Sequence, residues 1–513
     1  MTTSQQDQST AAHPQPWSKP AWATLLCALT CGTLLIHGYH PLAEDGGLYV
    51  AGIQYTLDPS LFPYYTEFVR EHLRFSLFAP VISAAVHLTH LSLLWVLFLL
   101  DILSIWLTLF SARQILRRVL PSAPSAAPFA GVALLAAWWT MPIAGTSLLL
   151  MDPYLTARSF STPLSLLAIA YALDDAYARA GLCIALAALL HPLMAAYALA
   201  FLIVLHLSRV TRSLKARILS WLTLTFAALV LAALLQSLAL PESSAFRAAA
   251  ITRYYWFLSQ WQWYERLGLL GPLVILAGIL YLRRGKLSEN AITLCHTCLV
   301  LATIATLIAI LFAHESSTIH LVARLQVLRV YMLLYAIMTI LLGATLYQTG
   351  KRPYLTAAAI LAMAAIMFYV QRQSFLLSPQ VEFPWHPDSN PNPWVQAFVW
   401  ARHNTPSDAL FALDAKYVNT DGEDAQTFRA IALRSALPDY SKDGGEASIT
   451  PALAPLWQQA ADAQKDLSQL TDATRDARLR PFGVTWMVLH ANAQTAHLCP
   501  YANRTVKVCR LTP

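Results

Sequence analysis

The chain has 513 residues, 57% of them hydrophobic and only 12% charged, with a formal net charge of +7 and a mean hydropathy of +0.48. A soluble protein of this length does not present such a surface to water, so the composition excludes a soluble enzyme and points to a polytopic membrane protein. The positive balance is not a nucleic-acid signal, because Lys and Arg fall in short clusters between apolar runs and not along one aromatic-interleaved face.

Residues 1–20 are polar and rich in Gln, Ser and Pro, which predicts a tail ahead of the membrane. The apolar run that follows has no convincing small-residue cleavage site and reads as a retained signal-anchor. A bilayer span takes about 20 apolar residues, and runs of that character lie at 21–39, 92–112, 127–146, 160–173, 180–208, 217–240, 268–282, 290–312, 330–348 and 354–371. His191-Pro192 interrupts the run 180–208 and divides it into two shorter helices. The expectation is therefore about eleven transmembrane helices within a membrane domain of residues 21–375.

Basic residues flanking the spans set the orientation, because Lys and Arg near span ends are retained in the cytoplasm. Four clusters qualify: Arg113, Arg117 and Arg118; Arg209, Arg212, Lys215 and Arg217; Arg283, Arg284 and Lys286; and Lys351-Arg352. With eleven spans all four share one side. The N-terminus is then cytoplasmic, and the loops 40–72, 145–159, 241–267 and 313–329 are extracytoplasmic. The stretch Phe75 to His90 is apolar but too short to cross and contains Pro80, which suggests an interfacial helix.

After about residue 380 prolines cluster and apolar runs shrink, marking a soluble extracytoplasmic domain over 380–513. "DALFALDA", "FGVTWMVLH" and "RTVKVCRL" read as short strands and "ALAPLWQQAADAQKDLSQL" as helix, so this domain is small and α/β. The cysteines show no zinc-finger spacing. Cys499 and Cys509 flank a final hairpin, and an oxidising compartment allows them either to bond or to remain as two buried thiols.

Ionisable groups in or against a membrane are costly and mark functional candidates. Glu44-Asp45 follow the first span, next to Gly46-Gly47, which allow close backbone approach to a ligand, and to Tyr39, Tyr49 and Tyr55. "LMDPYLTARSFSTPLS" sets Asp152 and Arg158 around Tyr154, read either as a polar loop with Ser161-Thr162 capping a helix at Pro163 or as a phosphate site. His191 either satisfies freed carbonyls or contacts a polar headgroup. In "RYYWFLSQWQWYER" and "HESSTIHLVARLQVLRVY" the aromatics read as an interfacial belt, whereas Arg324 and Arg329 offer the donor fork that a phosphate ester requires. His314 and Glu315 open the second of these stretches. Asp101 stands alone within an apolar run and needs a partner on another helix.

The order of these parts resembles the GT-C superfamily of membrane glycosyltransferases. Glu44-Asp45 in the first outer loop, the interfacial segment 75–90, Asp152 in the next outer loop and the domain 380–513 occupy the places of that family's acidic motif, interfacial helices, second acidic site and soluble domain. "DPYLTARSFSTPL" and "HPLMA" look like those of a bacterial GT-C-like group of unassigned reaction. There is no strict Asp-x-Asp and no WWDYG-type motif, so peptide N-glycosylation is not implied. The resemblance implies an inverting hexosyl- or pentosyltransferase in the bacterial cytoplasmic membrane. A polyprenyl-phosphate-linked sugar would be the donor, and a glycan, lipid or protein the acceptor. Asp45, with Glu44, would orient the acceptor and take its proton. Arg158, Arg253, Arg324 and Arg329 would hold the donor phosphate, and Tyr49, Tyr154, His191, His314 and Glu315 would line the substrate site. A Mg2+ or Mn2+ ion bridging Asp45 and Asp152 would neutralise the leaving phosphate. Two other classes stay open: a transporter or flippase coupled through Asp101, and a non-catalytic envelope assembly protein.

Overall fold

The computed structural model describes residues 17–211, 213–350, 352–385, 387–419 and 426–511. The expected tail lies outside these residues except for its last four, as do Arg212 and Lys351 of the basic clusters. Among the described residues, eight helices are long and apolar enough to cross a bilayer: Lys19–His37, Leu93–Val119, Pro192–Val210, Leu214–Leu238, Trp263–Leu282, Glu289–Phe312, the bent stretch Leu321–Thr349, and Pro353–Ser374. Leu219, Leu222 and Phe226 of Leu214–Leu238 and Leu361 and Tyr369 of Pro353–Ser374 are exposed on their outer faces. Such faces are stable against lipid tails and not against water.

The expected count of eleven is thus too high. The run 127–146 holds only the 12-residue helix Ala126–Ala137, and 160–173 and the first half of 180–208 become helices of 17 and 14 residues, Ala157–Leu173 and Tyr177–Leu190. Ala126–Ala137 is apolar all round because it is buried all round. Gly131 and Gly343 let it cross Tyr331–Thr349 at backbone contact: a Cβ on Gly343 would lie 2.6 Å from the Ala130 carbonyl oxygen. Uninterrupted hydrophobicity reports burial there and not crossing. The break at His191 falls where the sequence places it, with Pro192 opening the next helix. The interfacial segment forms the 12-residue helix Phe78–Thr89. Cys295 and Cys298, spaced as C-x-x-C, are buried free thiols inside Glu289–Phe312.

One end of the bundle gathers the basic clusters. Arg118 pairs with Asp174 at 2.6 Å, Arg209 with Asp175 at 2.8 Å, and Arg283 donates to Gln348 at 2.8 Å. Ser288 Oγ donates to the Val119 carbonyl at 2.7 Å, and the Trp17 amide to Ser125 Oγ at 3.0 Å, closing the helix ends together.

The opposite end carries the C-terminal domain. Its sheet has β1 (Leu410–Ala412), β2 (Ser435–Ala436), β3 (Trp486–His490), β4 (Tyr501–Ala502) and β5 (Val506–Arg510) in the order β2-β1-β3-β5-β4. β1 runs parallel to β2 and β3, while β3 with β5 and β5 with β4 are antiparallel. Three of the five strands fall within the segments read as strands from sequence, and helix Ala454–Gln464 falls within the segment read as helix. Phe398, Phe411, Phe428 and Val508 fill one face of the sheet, Met487, Leu489 and Leu467 the other. A disulfide joins Cys499 to Cys509.

Candidate functional site

The acidic turn after the first span is fastened from three directions. The Tyr39 amide donates to the Gln380 carbonyl at 3.0 Å, the His40 amide to the Pro153 carbonyl at 2.8 Å, and Thr427 donates to the Leu42 carbonyl through its amide at 3.1 Å and its hydroxyl at 2.7 Å. His40 stacks on Phe375 with ring centroids 3.7 Å apart and meets Glu382 at 3.0 Å. Glu44 adopts φ of 50°, sparsely populated for a residue with a Cβ, and opens the helix Glu44–Leu57. Both carboxylates stand in its first turn, where the unsatisfied amides favour negative charge. The two glycines make room for the chain itself: a Cβ on Gly46 would approach Tyr154 Cγ at 3.0 Å, and one on Gly47 would overlap the Thr427 hydroxyl.

The partner of both acids comes from 397 residues away. Lys442, first residue of helix Lys442–Ile449, donates to Asp45 at 2.8 Å and also to Glu44. Its charge is the main cause that holds Asp45 down at a pKa of about 2, with Arg158 and Arg329 adding to it. The Asp45 side chain is nevertheless 46% exposed, so it is open to solvent and not sealed in a core. Burial works against the Lys442 charge, but Asp45 and Glu44 outweigh it and raise its pKa.

Helix Lys442–Ile449 was not singled out from sequence, and it organises much of the site. Glu446 faces His72 at 4.0 Å, Thr450 Oγ1 donates to Glu71 at 3.1 Å, and Asp443 pairs with Arg429 at 2.7 Å. Burial first, then Asp443, Glu71 and Asp45, push the Glu446 carboxyl up to about 8; burial also lowers His72 to about 4. Tyr49 packs edge-on against His72 at 5.5 Å and Phe78 at 5.3 Å. The string "DYSKDGGEA" offered the one sequence signal, acids and a lysine around paired glycines, but nothing local told what it faces.

On the other wall, Asp152 and Arg158 form a buried ion pair, with Asp152 only 3% exposed. Burial raises the Asp152 carboxyl, and Arg158 pulls the other way. Helix Ala157–Leu173 begins just before Arg158, with Ser159 Oγ accepting from the Thr156 amide at 3.0 Å. The cap therefore precedes the expected Ser161-Thr162, and Pro163 lies inside the helix. Tyr154 is buried under Gly46. His191 accepts from the Met194 amide at 3.4 Å; burial, then Arg158 and Arg329, lower it to about 3. The charges of Arg158 and Arg329 act on both Asp45 and His191. The Nε atoms of Arg158 and Arg329 are buried without a protein partner. Arg329 lies 5.4 Å from the Tyr255 ring centre, on the aromatic stretch read as a belt.

The other sequence candidates divide differently. Arg253 donates to the carbonyls of Ser441 at 2.6 Å and Tyr440 at 3.0 Å, and so clamps the turn that presents Lys442. Arg324 pairs with Glu242, donates to the Ser448 carbonyl at 2.7 Å and stacks 3.8 Å from the Phe246 ring centre. Both hold the C-terminal domain, and neither faces Asp45. His314 and Glu315 are exposed in their loop, where Glu315 accepts from Gln260. Asp101 is buried in Leu93–Val119.

The residues proposed from sequence to share a divalent ion do not fit one as they stand. Asp45 is engaged by Lys442 and Asp152 by Arg158, and among the described residues no three His, Cys, Asp or Glu side chains converge as metal ligands. Beside the acidic turn, a cavity of about 200 Å³ opens between Tyr39, Leu42, Leu94, Val381, Phe383 and Trp385.

No protein-family model matches the chain, and no curated protein matches it in sequence. Among solved structures, the archaeal oligosaccharyltransferase AglB from Archaeoglobus fulgidus, in complex with an inhibitory peptide and a dolichol-phosphate, is similar over 93% of this chain and 70% of its own. The identity is 14% and the TM-score 0.51. The arabinofuranosyltransferase AftD from mycobacteria is 13% identical, with 94% of this chain and 37% of its own covered and a TM-score of 0.47. The likeness to AglB shows the fold alone.

Proposed function

We propose that the protein transfers a sugar from a polyprenyl-phosphate-linked donor to an acceptor at the extracytoplasmic face of a bacterial cytoplasmic membrane. The observation that carries this reading is the crevice itself. Two carboxylates on a strained turn meet Lys442, with Arg158 and Arg329 close by, at the end of the bundle away from the basic clusters. A lipid phosphate needs cations at the membrane surface, and an acceptor needs a carboxylate beside them. Both requirements meet around Asp45. The fold of an oligosaccharyltransferase solved with a dolichol-phosphate supports the same class of donor.

In the reaction the acceptor's hydroxyl or amine attacks the anomeric carbon, the bond from that carbon to the phosphate oxygen breaks with inversion, and polyprenyl phosphate leaves. Asp45 orients the acceptor and receives its proton late. A carboxylate held near pKa 2 is a weak base towards a free hydroxyl. It is adequate once the acceptor oxygen is bonded to the anomeric carbon and has become strongly acidic. Arg158 and Arg329 hold the phosphate, and Tyr49, Tyr154 and His191 shape the walls around it. His314 and Glu315, exposed in their loop, would meet an acceptor and not the donor phosphate. The apolar cavity between Tyr39, Leu94 and Trp385 suits the prenyl chain. The basic clusters at the far end set that end in the cytoplasm. Mass spectrometry of polyprenyl-phosphate sugars and surface glycans in a deletion strain tests the reading. One lipid-linked sugar accumulates and one glycan loses the corresponding residue; an unchanged profile of both contradicts it.

A further inference from the structure

The site just described asks for a cation between its acids and the leaving phosphate, yet its acids are already engaged. We propose that Lys442 is the resident cation: its ammonium holds Glu44 and Asp45 in the place of a divalent ion and presents its remaining N–H to the donor phosphate, so that transfer needs no metal. The proposal rests on the transferase reading above for the identity of the phosphate.

An ammonium has three donors and no acceptor. Among the described residues, Lys442 Nζ gives one to Asp45 at 2.8 Å and one to Glu44, which leaves the third for an incoming anion. The lysine is also held in place. Asp439 accepts from the amides of Ser441 at 2.7 Å and Lys442 at 2.6 Å, Arg253 clamps the carbonyls of Tyr440 and Ser441, and Arg324 fixes the Ser448 carbonyl at the other end of the helix. A flexible four-carbon stem on so well tethered a backbone sweeps a small volume. Mg2+ takes six oxygens at 2.0–2.1 Å, and to enter between Glu44 and Asp45 it would have to displace that ammonium. Lys442 meets Glu44 and Asp45, Arg158 meets Asp152, and Arg329 is in no ion pair among the described residues. A phosphate brings negative charge, and the spare N–H of Lys442 and the guanidinium of Arg329, whose Nε has no hydrogen-bond partner among the described residues, are the groups to meet it.

The test uses full-length protein in lipid nanodiscs, with Mn2+ followed by electron paramagnetic resonance and polyprenyl phosphate as the binding probe. Wild type binds no stoichiometric Mn2+ and transfers at the same rate in EDTA. Lys442→Ala and the volume-conserving Lys442→Met melt like wild type and bind polyprenyl phosphate at least tenfold more weakly. Their transfer in EDTA falls about 10²-fold, the size of losing one preorganised charge donor. In Lys442→Ala the vacated acids take up one Mn2+, which restores part of the rate, and adding Asp45→Asn abolishes that uptake. Lys442→Arg keeps partial transfer in EDTA. The proposal is overturned if wild type binds one Mn2+ as tightly as Lys442→Ala, or if both Lys442 variants bind polyprenyl phosphate and transfer like wild type in EDTA. If wild type transfers from no polyprenyl-phosphate sugar, the transferase reading fails, and the Mn2+ and polyprenyl-phosphate binding results still decide for or against Lys442.

Discussion

The two ends of the helical bundle both gather arginines, and the acids they meet differ. At the end with the basic clusters, Arg118 and Arg209 pair with Asp174 and Asp175, which are 48% and 61% exposed. At the end with the C-terminal domain, Arg158 and Arg324 pair with Asp152 and Glu242, which are 3% and 4% exposed. Exposed pairs contribute little, because water screens them and holding two long side chains costs entropy. Buried pairs do not persist unless both partners are present, since removing one strands a desolvated charge. Arginine at the first end therefore makes pairs open to water; at the second it makes buried pairs that hold the structure around Asp152 and Glu242. A sequence window shows the same residue type in both places and misses the burial that separates them.

That contrast can be broken by mutation at either end. Arg158→Ala leaves Asp152 buried and unpaired, so a loss of about 3–5 kcal/mol is expected, read as a large drop in melting temperature together with lost transfer. Arg158→Lys, which keeps the charge, recovers much of the first and less of the second. Arg329→Ala should weaken binding of polyprenyl phosphate by about 10–10²-fold, the range for a charged hydrogen bond, with little change in melting. Arg329→Lys should rescue it in part, and unchanged affinity in both returns Arg329 to a structural role. The contact between Glu446 and the acids and His72 around it gives the contrast a pH signature. Its folded pKa of about 8 lies above the ordinary 4.5, so the native state holds a proton that the unfolded state releases between these values. Stability at this interface is full below pH 4.5 and falls as pH rises towards 8, by up to ~1.4 kcal/mol per pH unit. Glu446→Gln should flatten the profile, measured by melting from pH 5 to 9. The smallest effect belongs to the basic end: Arg118→Ala should change stability by ~0.2–1 kcal/mol and leave transfer untouched.

What the sequence made legible follows the same line. Local features were readable: the break at His191-Pro192 and the strands around Phe411, Met487 and Val508. The helix Ala126–Ala137 misled because a fully buried helix and a lipid-facing one are apolar for different reasons but look alike in one dimension. Of four arginines offered to the phosphate, Arg158 and Arg329 lie within electrostatic reach of Asp45, whereas Arg253 and Arg324 hold helix Lys442–Ile449. Nothing within a few residues of any of them tells these roles apart. Lys442 was invisible for a simpler reason: its meaning lies in a contact across 397 residues.

The central claim is that Asp45 serves turnover and not donor binding. Its most direct test is Asp45→Asn, purified and reconstituted beside wild type, with lipid-linked sugars extracted from the deletion strain as substrate. Release of polyprenyl phosphate is followed by mass spectrometry and donor binding is measured on the same preparations. Turnover is expected to fall by about 10²-fold or more, the range for loss of a proton-accepting carboxylate, with donor binding kept on Arg158 and Arg329. Equal turnover by Asp45→Asn and wild type would contradict it, and proton-coupled uptake abolished by Asp101→Asn would move the protein to the transporter class.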